Sequence, residues 1–204
     1  MMGRHHPAAR MLCMNNFRIF AMLGLACAAC MTAAAPADGP SYTAGGELNL
    51  PENYREWNFL SAGLGMSYGP TGQTDANNNP RFTNVFVNRA SYQSFLSTGT
   101  WPDKTMFLLD IRSSTSNGSI NKGGRYQTDL VAIEAEVKDK GQWKFYNFGA
   151  SGTTAKAFPQ SERCYECHSK NGAVDNTFVQ FYPTLLKVAR EKGTLKPGVL
   201  RETP

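Results

Sequence analysis

The run Cys164-Tyr165-Glu166-Cys167-His168 holds the most specific chemistry in the chain. Two thiols three positions apart at the start of a helix lie on one side of the backbone. There they can add to the two vinyl groups of one porphyrin edge, and the imidazole that follows can reach the iron as an axial ligand. C-x-x-C-H is the attachment signature of a c-type haem. The competing chemistries lack their partners. A zinc site needs two further ligands, and past residue 35 there is no other Cys and no other His. A thioredoxin-like pair needs strand-helix-strand surroundings, which this segment does not have. His5 and His6 lie near the start of the chain, so His168 is the expected proximal ligand and no distal histidine is available.

The elements that must position this motif are mixed. Asn58 to Leu64, Thr83 to Asn88 and Thr105 to Ile111 have strand character. Leu130 to Val137 alternates, with Glu134 and Glu136 on one parity and Ile133, Ala135 and Val137 on the other. Asp139-Lys140-Gly141 makes a turn, and Trp143 to Phe148 returns as the second arm of a hairpin. Ala90 to Leu96 suits a short helix, as does Thr153 to Phe158 ahead of the motif. Pro183 is placed to open a last helix that Gly193 ends. Tyr68 to Pro80 and Ser113 to Gly124 are polar loops, the first a rim or lip over a pocket. At least four strands exclude a plain helical bundle. The expected fold class is α+β, a sheet with flanking helices and the haem motif near the C-terminus.

Within the third strand, Phe107, Leu109 and Ile111 share a parity and project together. Against a haem face they make a dry wall without donors or a general base, which suits neutral diatomic ligands; ordinary core packing is the alternative. Arg125, Tyr126 and Glu134 are read as surface residues rather than pocket residues.

The totals bound the rest. The chain has 204 residues, 41% hydrophobic, enough for one domain with a core. Residues 1 to 35 read as a signal peptide: Arg4, Arg10 and Arg18, an apolar run Ile19 to Ala26, then Ala33-Ala34-Ala35. A lipoprotein signal at Cys27 or Cys30 fits less well. Without the three leader arginines the charges stand at 18 basic against 16 acidic, or +2, which gives no case for nucleic acid. Export to the periplasm is expected, where bacterial c-type haem is attached. Residues 36–47 form an arm, and 48–204 the haem domain.

Four segments together resemble the cytochrome P460 family, which includes the β-sheet cytochromes c′ (c′-β). They are Leu50-Pro51-Glu52-Asn53-Tyr54-Arg55-Glu56-Trp57, Val85 to Tyr92, Trp143-Lys144-Phe145-Tyr146, and Cys164 through Phe181-Tyr182-Pro183. The resemblance implies an antiparallel sheet with helices around one covalently attached haem c, often in a homodimer. It implies a five-coordinate iron whose open face binds NO, CO or hydroxylamine. Members of the P460 type oxidise hydroxylamine with a haem further cross-linked to a lysine, a few residues past an Asp-Gly-Thr turn. Here that turn is Asp103-Lys104-Thr105, and the cross-link position falls on Leu109. Leucine has no nucleophilic nitrogen, which favours the ligand-binding c′-β type; Lys104 and Lys156 are the nearest other lysines.

Three functions therefore stand. The first is a cytochrome that binds NO or a related nitrogen species, with Cys164, Cys167, His168, Leu109 and Phe107 at the haem and His168 on the iron. The second is a hydroxylamine oxidoreductase. The third is an electron carrier with Met66 or Met106 as sixth ligand. No catalytic residue and no redox partner is assigned.

Overall fold

The computed structural model describes residues 38–67 and 72–199. The expected signal peptide lies outside the described residues. Among the described residues there are seven strands and three helices: β1 (Leu48–Asn49), β2 (Asn58–Leu64), β3 (Phe82–Val87), α1 (Arg89–Thr98), β4 (Met106–Thr115), β5 (Tyr126–Asp139), β6 (Gln142–Gly149), β7 (Thr154–Ala155), α2 (Arg163–Asn171) and α3 (Pro183–Lys192). Short 3-10 turns cover Tyr54–Glu56 and Val179–Phe181. β2 to β6 form a five-stranded antiparallel meander in chain order, and β1 pairs with β7. This is the α+β class that the sequence implies. No helix among the described residues is long and apolar enough to cross a membrane.

Period-2 alternation gives the sheet two different faces. On one, Val85, Val87, Phe107, Trp143 and Phe145 pack under Phe95 of α1 and Leu185 and Ala189 of α3. On the other, Met106, Leu108, Ile133, Val137 and Phe148 are covered by Leu48 of β1 and by Tyr54 and Trp57 from the segment between β1 and β2. β5 and β6 meet in a two-residue turn in which Lys140 and Gly141 both take positive φ (50° and 77°), the hairpin geometry that matches strand twist.

The segment between β1 and β2 is tied down by charge as well as by apolar contact. Asp110, fully buried on β4, accepts from the Tyr54 hydroxyl at 2.9 Å and from Arg55 at 2.6 Å, and pairs with Arg112 Nε at 2.7 Å. The Tyr54-Arg55 part of the opening motif is thus a clamp on the back of the sheet. Asp38 caps α1 from outside the helix, accepting from the main-chain N–H groups of Arg89 (3.1 Å) and Ala90 (2.7 Å).

Two local expectations are corrected. Thr153 to Phe158 contains strand β7 and no helix, because Ala155 and Thr154 pair with Leu48 and Asn49, far away in sequence. β4 continues to Thr115 into the expected loop, because Ser114 and Thr115 pair with Gln127 and Tyr126 across two irregularities.

Candidate functional site

α2 brings Cys164, Cys167 and His168 to the apolar-helix side of the sheet. Its first turn is fixed by Tyr165, whose hydroxyl donates to the Phe158 carbonyl at 3.0 Å and whose ring meets Phe145 edge-on at 4.8 Å. Both thiols are unpaired. The His168 ring is buried between Phe145 (4.6 Å) and Phe178 (4.4 Å).

The carbonyl of Asn176 lies 3.0 Å from Nδ1 of His168. A carbonyl only accepts, so Nδ1–H donates to it, and Nε2 is the ring nitrogen turned away from the loop. Asp175 and Asn176 reach this position with positive φ, 48° and 60°. The loop crosses so close to Gly172 that a Cβ there would meet the Asn176 carbonyl carbon at 2.5 Å. The loop is pinned to the sheet: Lys138 on β5 pairs with Asp175 at 2.5 Å and donates to the Trp101 carbonyl at 2.8 Å. Lys196, past α3, donates to the Ser169 carbonyl at 2.6 Å at the end of α2.

Between α2 and the sheet lie two adjoining cavities of about 690 and 410 Å³, in the range of small-molecule and cofactor sites. Leu109, Glu134, Glu136 and Cys167 line both. Cys164 and His168 line the smaller. Nε2 of His168 faces the sheet, 3.5 Å from Glu136 Oε1. This donor set fits a haem: two thiols free of any disulfide and one imidazole nitrogen border one slot, with Leu109, Glu134 and Glu136 on the facing wall.

Leu109 stands on the wall of both cavities, and Ile111 on that of the larger. Phe107 lies behind the wall: it is buried, stacked on Tyr182 with ring centres 6.2 Å apart and edge-on to Trp101 at 4.8 Å. Tyr182, not Phe107, reaches the cavity there. Met66 lines the larger cavity, whereas Met106 is buried on the opposite face. Arg125 is bound to Ser114 and Asn79, and Tyr126 is exposed and donates to the Asn117 carbonyl. Lys156 is exposed beside Glu47, and Lys104 is exposed in a turn.

The expectation of an acid-free wall is overturned. Glu134, expected at the surface, and Glu136 both enter the slot. Burial pushes the Glu134 carboxyl above its ordinary range. Burial also raises Glu136, with His168 opposing and the charge of Glu134 adding. The Cys164 thiol is raised by burial and by these carboxylates. The sequence signal for Glu136 was its parity with Glu134, which reads as a solvated face until something covers that face.

An antiparallel sheet that opposes a C-x-x-C-H helix across a cofactor-sized slot defines a class of c-type haem protein distinct from the helical cytochromes. The cytochrome P460 family model matches residues 51–179, and the chain belongs to that family. Among curated proteins none matches the chain.

Proposed function

We propose that the protein holds one haem through thioethers from Cys164 and Cys167, with His168 Nε2 on the iron, and binds NO or a related small nitrogen species on the sheet-facing side. The haem supplies the ligand-binding metal. The chain supplies its orientation through the Asn176–His168 bond and a facing wall of Leu109 on β4 with Glu134 and Glu136 on the neighbouring strand. The observation that carries this reading is Leu109: the family resemblance puts the cross-linking amine at this position, and here a leucine lines both cavities. The expected leader places the protein in the periplasm.

The test is the haem-peptide mass of the wild type, with optical spectra and hydroxylamine turnover measured alongside. Two thioethers only, high-spin histidine-ligated spectra, NO binding and slow turnover are expected. A lysine adduct with fast turnover would reverse the assignment. The variant Cys164→Ala/Cys167→Ala should lose all haem on denaturing electrophoresis.

Hydroxylamine oxidation is the second reading, and Glu134 and Glu136 favour it as groups that can take protons from a bound substrate. Electron transfer with a methionine ligand is reduced to Met66, since Met106 lies across the sheet.

A further inference from the structure

Two of the large apolar side chains exposed on this domain line the same cavity. Met66, just past β2, and Phe181, in the turn before α3, are each 45% exposed and each line the 690 Å³ cavity. A side chain that lines a cavity and is also half-exposed stands at its mouth. Met66 approaches from the sheet side and Phe181 from the helix side.

Met66 is seated in a specific place. A Cβ built on Gly63 would meet Met66 Sδ at 2.4 Å and Cγ at 2.8 Å. Gly63 has no positive φ to require a glycine. Its missing side chain instead makes the hollow in which the thioether lies. The seat holds a flexible, polarisable side chain folded back on β2 at the rim rather than extended into solvent.

We propose that Met66, seated on Gly63 and lining the same cavity as Phe181, is the residue that sets the size of what reaches the cavity. The inference rests on the ligand-binding reading above. An apolar thioether and phenyl rim passes small neutral molecules without cost. A bulky ligand must displace Met66 from its seat. The ligand class so selected is the small one, a diatomic rather than a chain-bearing ligand.

The experiment uses the haem-loaded, reduced full-length protein. Association rates of CO and of n-butyl isocyanide are measured by flash photolysis in wild type, Met66→Ala, Met66→Leu and Phe181→Ala. The expected result is a several-fold rise in the isocyanide-to-CO rate ratio for Met66→Ala, a smaller rise for Phe181→Ala, and the wild-type ratio restored in Met66→Leu, which refills the seat without sulfur. An unchanged ratio in Met66→Ala overturns the gate while leaving the haem reading intact. A Met66→Leu protein that matches Met66→Ala also overturns it, since the sulfur would then act as a ligand and not as bulk. Failure of wild type to bind CO at all defeats the open-face reading and the gate with it.

Discussion

The main-chain oxygen of Asn176 sits 3.0 Å from Nδ1 of His168, and it gets there across a glycine, Gly172, that has no room for a methyl group. The His168 imidazole is therefore oriented by a turn eight residues further on. Gly172→Ala should push that turn away, costing about 1–3 kcal/mol as an overpacked contact. Thermal unfolding measures the cost. Resonance Raman on the reduced holoprotein should show the iron–histidine stretch falling, because a weakened Nδ1–H bond makes the imidazole a poorer donor. An unmoved stretch would disconnect the turn from the iron.

Asp110 gives a contrasting case on the other face of the sheet. Its carboxylate is buried against Tyr54, Arg55 and Arg112. Asp110→Ala leaves Arg112, which is mostly buried, without its partner and should cost about 3 kcal/mol. Tyr54→Phe removes one hydrogen bond and should cost about 1 kcal/mol. Urea unfolding checks both. The optical spectrum of folded holoprotein should not change, because these groups are separated from the slot by the sheet.

Leu109 pairs directly with Glu134 across β4 and β5. An amine introduced by Leu109→Lys would therefore meet a carboxylate, stay protonated and lack a lone pair for attack. The single variant should keep a haem bound through two thioethers after oxidant treatment. In Leu109→Lys/Glu134→Gln the amine loses the carboxylate paired with it across the strands, burial lowers its pKa, and more of a third link to the haem is expected than in the single variant. Haem-peptide mass spectrometry separates the two outcomes. Equal linkage in both variants would mean that Glu134 does not control this position.

Burial raises the Glu134 carboxyl in the folded chain. The fold therefore prefers its protonated form. That contribution is fully present below the ordinary glutamate pKa of about 4.3 and is lost as pH rises through the raised value. Glu134→Gln should match wild type in acid and unfold at higher urea concentration than wild type at neutral and alkaline pH. A difference of the same size at both ends would refute a titration origin.

Much of this was legible from the residues. The C-x-x-C-H run names its own chemistry, and the hairpin and last helix carry local punctuation at Lys140-Gly141, Pro183 and Gly193. Leu109 could be placed because strand parity is simple counting. What failed was the rule that charge marks the solvent side. Glu134 and Glu136 alternate with Ile133, Ala135 and Val137 as on any half-exposed strand, yet α2 covers the charged parity and leaves a slot over it. Phe107 shares the parity of Leu109 but lies where Trp101 and Tyr182 have already filled the space. β7 was invisible because its partner is more than a hundred residues away and neither strand exceeds two residues.

The two carboxylates on β5 also limit how this protein can change. A lineage seeking an acid-free cavity cannot reach it by adding or deleting one residue in that strand. Such a change would turn Glu134 and Glu136 toward Leu48 and Met106, where unpaired charge is heavily penalised. The cavity's acidity can be altered only in place, one substitution at a time, while the strand itself stays fixed. Related chains with different appetites for protons should therefore differ at these two positions and agree in the length of the hairpin that carries them.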